Sequence, residues 1–126
     1  LIDTLISSTD TTFCSAFSIP ADHVLVNNGA LLEAGLMENA AQTAALGMGY
    51  TAKQRNEPPP LGFIGALTRA SFTGKAEVGE RLETTVIVKH EVMSARVLEA
   101  QIHCGERAIA TLELKVFIID PDVAHG

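Results

Sequence analysis

Glu38 is the residue whose surroundings in this sequence most need an explanation. It falls in the stretch from about Ala30 to Tyr50, ALLEAGLMENAAQTAALGMGY, which is dense in Ala, Leu and Met and holds no Lys or Arg. A carboxylate there has no basic residue three or four positions away to pair with. Left ionised among apolar side chains it carries a large desolvation cost, so it must be paired, open to a cavity, or held neutral. Carboxyl groups poised in this way serve general acid–base chemistry. Gln42 lies one turn further on and on the same face, where it can orient the carboxylate or hold the helix against a strand. Patterning alone leaves two plainer roles open for Glu38: a side chain meeting solvent at a gap in the fold, or the partner of an arginine from elsewhere.

A candidate base is harder to find. Of four histidines, His23 sits in a loop, His90 and His103 fall on segments that read as strands, and His125 lies in the C-terminal tail. A loop imidazole can titrate near neutral pH, though a lone loop histidine is more often a solvated side chain. No histidines and carboxylates have the spacing of metal ligands, and no glycine-rich phosphate loop occurs. Neither a metal nor another cofactor is expected.

The elements that must position these residues follow from the pattern. Leu1 to Ile19 reads as strand, turn, strand, with the break at Ser7-Ser8-Thr9-Asp10. Ala21 to Gly29 is a loop closed by Asn27-Asn28-Gly29, a strong turn signal. The Ala30–Tyr50 stretch is helical by composition. It is apolar on nearly every face, which predicts burial on all sides. Thr51 to Pro60 reads as a polar exit loop, since three successive prolines forbid helix. Leu61 to Phe72 is a strand with Gly62 and Gly65 at positions of close backbone approach. After a turn over Gly74 to Glu80 come strands at Leu82–Val92, Val97–Cys104 and Ala108–Ile119. The last two alternate cleanly, Leu98, Ala100, Ile102 and Cys104 on one face and Leu112, Leu114, Val116 and Ile118 on another. This predicts an α+β fold: one long buried helix wrapped by a curved antiparallel sheet of five or six strands.

Composition fits one domain spanning 1–126, with the true N-terminus left open because the sequence starts at Leu1. Hydrophobic residues make up 47%, with five Phe, one Tyr and no Trp, so the core must be built from Ala, Val, Ile and Leu. A net charge of −6 with nine scattered Lys and Arg argues against nucleic acid and against a polybasic membrane anchor. Arg55, Arg69, Lys75 and Arg81 are the cations available to the rim of a site. Cys14 and Cys104, far apart in sequence, read as reduced thiols of a cytoplasmic protein. No apolar run is long enough to span a bilayer and no segment reads as a signal peptide.

The run Glu38-Asn39-Ala40-Ala41-Gln42-Thr43-Ala44-Ala45 resembles the glutamate-x-x-alanine-glutamine signature on the central helix of hot-dog-fold 3-hydroxyacyl-[acyl-carrier-protein] dehydratases. Leu61-Gly62-Phe63-Ile64-Gly65-Ala66 and Val78-Gly79-Glu80-Arg81-Leu82 resemble that family's strand, turn and strand after the helix. The likeness extends from Ile2 to Ile119. It is greatest for the divergent branch resembling the dehydratases of aryl polyene biosynthesis, where a glycine stands nine residues before the glutamate, as Gly29 does, and a Gln-Thr pair follows, as Gln42-Thr43 does.

The resemblance implies a hot-dog fold and dehydration of a 3-hydroxyacyl thioester on acyl carrier protein or coenzyme A. It implies a homodimer or a hot-dog heterodimer. In the family a loop histidine of the partner subunit takes the α-proton, the helix carboxyl assists departure of the hydroxyl, and a backbone N–H at the helix start polarises the carbonyl. Glu38 maps onto the carboxyl group. His23 is in the right loop, one residue out of register with the catalytic histidine; anchoring on Gly29 instead puts Asn28 or Ala30 there. The family's histidine-rich loop motif and its Pro-Gly before the helix are absent, with Leu32-Glu33 in that place. Catalytic candidates are therefore Glu38 and His23. Substrate-binding candidates are Gln42, Asn28, Gly29, Phe63, Ile64 and Gly65, with Leu36 and Met37 as further tunnel lining. Two other readings stand beside the lyase: an acyl thioesterase in which the carboxylate activates water without a histidine, and a non-catalytic acyl-binding or partner subunit of a hot-dog heterodimer.

Overall fold

The alternation of apolar and polar residues organises the C-terminal half. In the computed structural model, which describes residues 1–58 and 61–119, strands β5 (Leu61–Phe72), β6 (Arg81–Val92), β7 (Ala95–Cys104) and β8 (Arg107–Ile119) are all antiparallel to their neighbours. The N-terminal hairpin β1 (Thr4–Ser8) and β2 (Thr12–Ser18) joins them along β6, giving a six-stranded sheet of order β1-β2-β6-β7-β8-β5. Leu98, Ala100, Ile102 and Cys104 are buried on β7, and Leu112, Leu114 and Val116 on β8, as the alternation requires. Burying one such leucine contributes about 1.5–3 kcal/mol, so this face holds the sheet to what covers it.

What covers it is the single helix α1, Glu33–Gln54, which touches all six strands of the sheet. One helix can reach six strands only if the sheet curves around it. Leu36, Ala40, Ala44 and Met48 form its inward stripe and pack with Phe13, Leu82, Val86 and Leu114. Small residues let the layers close: a Cβ on Gly47 would lie 2.1 Å from Phe13 Cγ.

Three expectations change. The helix starts at Glu33, not Ala30, because Ala30–Leu31 (β4) pairs with Val26–Asn27 (β3) in a small hairpin. Its turn residues Asn28 and Gly29 have φ of 52° and 77°, the left-handed pair that a type I′ turn demands. The helix also runs on through Thr51–Gln54 and ends in a Schellman motif. Asn56 takes φ 54°, Glu57 N donates to the Ala52 carbonyl at 2.9 Å, and Asn56 N donates to that of Lys53 at 3.2 Å. Polar composition did not stop it; the left-handed asparagine did. Pro59 and Pro60 lie outside the described residues.

The third change bears on the site. The helix is not buried on all sides: Ala34, Glu38, Ala45, Leu46 and Tyr50 are exposed. The sheet covers one side of α1 only, and the apolar composition of the other side does not by itself bury it.

Candidate functional site

Glu38 lies on this open face. The desolvation cost expected of a carboxylate on an apolar helix therefore does not arise in the single chain, since its side chain meets solvent. It is held all the same. Gln42 Nε2 donates to Glu38 Oε1 at 2.8 Å, the i,i+4 contact that the helix geometry offers. Gln42 Oε1 in turn accepts from the main-chain nitrogen of Leu1 at 2.8 Å.

Gln42 also lines an apolar groove of about 340 Å³ between α1 and the β5–β8 end of the sheet. Its other walls are Ala41, Ala44, Ala45 and Met48 from the helix, with Gly62, Ile64, Val116 and Ile118 from the strands. The volume falls in the range of small-molecule sites, as does the character: apolar walls with one convergent polar group. The groove exists because the helix turns alanines toward β5 and β8 where leucines would fill the space. Glu38 is bonded to the polar group at its edge.

The predicted residues divide around this groove. Ile64 and Gln42 line it, and Gly62 joins them. Gly65 does not, because the ring of Phe117 occupies the place where its Cβ would be, 2.3 Å from Cε2. Asn28 and Gly29 form the exposed hairpin turn ahead of the helix. Leu36 is in the core at 2% exposure, and Met37 packs against that core. The Phe63 side chain, like His125, lies outside the described residues. Sequence reasoning passed over Ala41, Ala44, Ala45, Met48, Val116 and Ile118; for the helix residues the signal was the run of small side chains, which read as ordinary core.

His23 stays in its loop. Its Nδ1 accepts from Leu25 N at 3.0 Å, and its ring meets Phe17 edge to face at 6.3 Å. Among the described residues no hydrogen bond or ion pair joins His23 to Glu38 within one chain. Because a backbone N–H can only donate, this contact puts the proton of a neutral His23 on Nε2. His90 and His103 are on β6 and β7, and His103 Nε2 lies 3.4 Å from Glu83 Oε2.

Three of the four rim cations are engaged elsewhere. Arg55 pairs with Asp10 at 2.6 Å, Arg81 Nε is 3.5 Å from Glu83, and Arg69 is 4.0 Å from Glu113. None of these, nor Lys75, lines the groove. Cys14 and Cys104 are free thiols, and burial pushes the Cys104 thiol above its ordinary value. Among the described residues no group of three or more His, Cys, Asp or Glu side chains could hold a metal ion, and no helix is long and apolar enough to cross a membrane.

Solved structures with this architecture are numerous. The chain is similar to one in the dehydratase heterocomplex ApeI:P from Xenorhabdus doucetiae, with a TM-score of 0.84, 19% identity, and coverage of 97% of this chain and 84% of that one. It is also similar to the PaaI protein of the E. coli phenylacetic acid degradation operon, at TM-score 0.78 and 17% identity, covering 93% and 79% of the two chains. A hypothetical thioesterase solved with coenzyme A from Streptococcus pneumoniae TIGR4 follows at TM-score 0.77 and 12% identity, covering 91% and 86%. At such identities the likeness establishes the fold, which is the hot-dog fold expected from the sequence. No curated protein matches the sequence. The ApeP-like family model, described as ApeP dehydratase, matches residues 1–125, and the chain belongs to that family.

Proposed function

We propose that the chain acts in the dehydration of a 3-hydroxyacyl thioester carried on acyl carrier protein or coenzyme A, with Glu38 as the carboxyl group of the site. The observation that carries this reading is the bonded pair Glu38–Gln42 at the edge of an apolar groove, in a member of the ApeP-like family. The groove takes the acyl chain and leaves the thioester and C3 hydroxyl near the helix carboxyl. A base removes the proton from C2 while Glu38 delivers a proton to the departing C3 hydroxyl. The products are the enoyl thioester and water, with the abstracted proton on the base and Glu38 ionised.

The open face of α1 and the outer edge of β5 are the surfaces this reading assigns to a hot-dog partner, a second copy or a related chain. Among the described residues β5 pairs on one side only, and a long edge strand beside an exposed apolar helix face is what a partner subunit would cover. The ApeI:P heterocomplex supports a related chain as that partner. Free Cys14 and Cys104 suit the reducing cytoplasm.

A thioesterase is the second reading, favoured by His23. Its Nδ1 lone pair is committed to Leu25 N, and hydrolysis by a carboxylate that activates water needs no histidine. The deciding experiment presents a 3-hydroxyacyl carrier substrate to the chain, alone and with a hot-dog partner, and reads the products. Enoyl thioester supports the lyase, and free acid the hydrolase. Bound acyl chain with neither product makes this a non-catalytic partner subunit.

A further inference from the structure

The fully buried polar side chains of the described chain form one system. Ser15, Asn39, Thr43 and Thr84 are each at most 1% exposed, and all lie behind the Glu38–Gln42 pair. Asn39 follows Glu38 and Thr43 follows Gln42; a one-residue step turns about 100° around a helix, so the second pair faces the interior while the first lies about a quarter-turn away, toward the surface. Thr43 Oγ1 donates to the Asn39 carbonyl at 2.8 Å and contacts Ser15 Oγ at 2.7 Å on β2. Thr84 Oγ1 on β6 donates to Asn39 Oδ1. Asn39 Nδ2 donates to the Leu1 carbonyl at 2.7 Å.

Leu1 connects this interior to the surface. Its carbonyl accepts from Asn39 while its nitrogen donates to Gln42 Oε1. Main-chain groups cannot exchange donor and acceptor roles, whereas a side-chain amide can flip. Leu1 therefore orients both amides. Asn39 must turn Nδ2 toward Leu1 and Oδ1 toward Thr84. Gln42 must turn Oε1 toward Leu1, which leaves Nε2 facing Glu38. A flip of either amide sets donor against donor or acceptor against acceptor at Leu1, and for Asn39, which is fully buried, it leaves polar groups unsatisfied away from water. The result is a directed chain of hydrogen bonds from the interior of β6 to one carboxylate oxygen.

We propose that Asn39, anchored by Thr84, is a positioning residue for Glu38, acting through Leu1 and the Gln42 amide. It rests on Glu38 being the carboxyl group of the reaction. Its function is to fix which face of Gln42, and so which rotamer of Glu38, meets the substrate; holding the core together is a separate matter, which apolar side chains can do equally well.

The test compares Asn39→Leu/Thr84→Val, which removes both buried partners together, with Thr84→Ser, which keeps the hydroxyl. Product formation is followed in the active assembly, and the Gln42 side-chain NH₂ resonances are recorded in the chain by NMR. The double variant should fold and lower kcat by roughly ten- to a hundred-fold with KM little changed, the scale of a displaced catalytic group. Its Gln42 NH₂ signals should move toward those of a free amide, while Thr84→Ser keeps wild-type kcat and wild-type signals. Unmoved Gln42 signals in the folded double variant overturn the proposal, with or without activity. If Glu38→Gln retains full turnover, the reading of Glu38 has failed, and the NMR comparison still decides the chain of hydrogen bonds. If the double variant does not fold, Asn39→Ser, which is too short to reach Leu1, takes its place; wild-type kcat and wild-type Gln42 signals in it overturn the proposal equally.

Discussion

The ring of Phe13 fills the space that any side chain at Gly47 would need, with Phe13 Cγ only 2.1 Å from where a Cβ would stand. Phe13 is 1% exposed, so it has no room to retreat. Gly47→Ala therefore sets two effects against each other. Helix propensity gains about 0.8–1 kcal/mol, while overpacking a closed core costs about 1–3 kcal/mol. The packing term should win, by up to about 2 kcal/mol, read as a lower urea midpoint. A stabilised variant would mean that β2 and α1 stand further apart than they do here.

Glu38→Gln keeps shape and removes the ionisable group. Glu38 is exposed, so stability should change by no more than about 0.5 kcal/mol. Turnover of a 3-hydroxyacyl thioester should fall by about 10²–10⁴-fold, the usual worth of a general acid or base. Steady-state kinetics checks the loss and sedimentation checks that the assembly persists. Unchanged activity would remove Glu38 from the mechanism.

Leu46 and Tyr50 are 46% and 43% exposed on the same face. If a hot-dog partner covers that face, Leu46→Glu/Tyr50→Glu should leave the thermal unfolding of the isolated chain nearly unchanged and dissociate the complex. Analytical ultracentrifugation of the chain with its partner distinguishes the outcomes. A complex of undiminished affinity would place the partner elsewhere.

Arg107 and Glu80 meet at 2.6 Å, and the Arg107 hydrogen bond is the main reason the Glu80 carboxyl lies below its ordinary value of 4.5. Folding thus favours the charged form. The contribution is present above the unfolded value and is lost as pH falls through the lower folded one. Arg107→Gln should flatten the loss of stability on acidification between roughly pH 5 and pH 3. Urea midpoints across that range test it; identical slopes would show the pair to be without effect in solution. The pair is at the surface, so its absolute contribution is small.

Much of the fold could be read directly, because period-2 alternation in β7 and β8 and a β-branch-poor run in α1 are local properties of the chain. The turn at Asn28-Gly29 was legible for the same reason: only certain residues take positive φ cheaply. The family signature likewise isolated Glu38 and Gln42, and the structure joins them by a hydrogen bond. What the sequence could not supply was which side of an all-apolar helix the sheet would cover. That depends on curvature summed over six strands, so the helix read as buried on all sides when Glu38 and its neighbours lie on an open face. Asn39 shows the same limit from the other side. It stood among the few polar residues of the helix with no role assigned, since its partners Leu1 and Thr84 are 38 and 45 residues away. Contacts between residues so far apart in sequence leave no periodic trace, and only the folded chain brings them together.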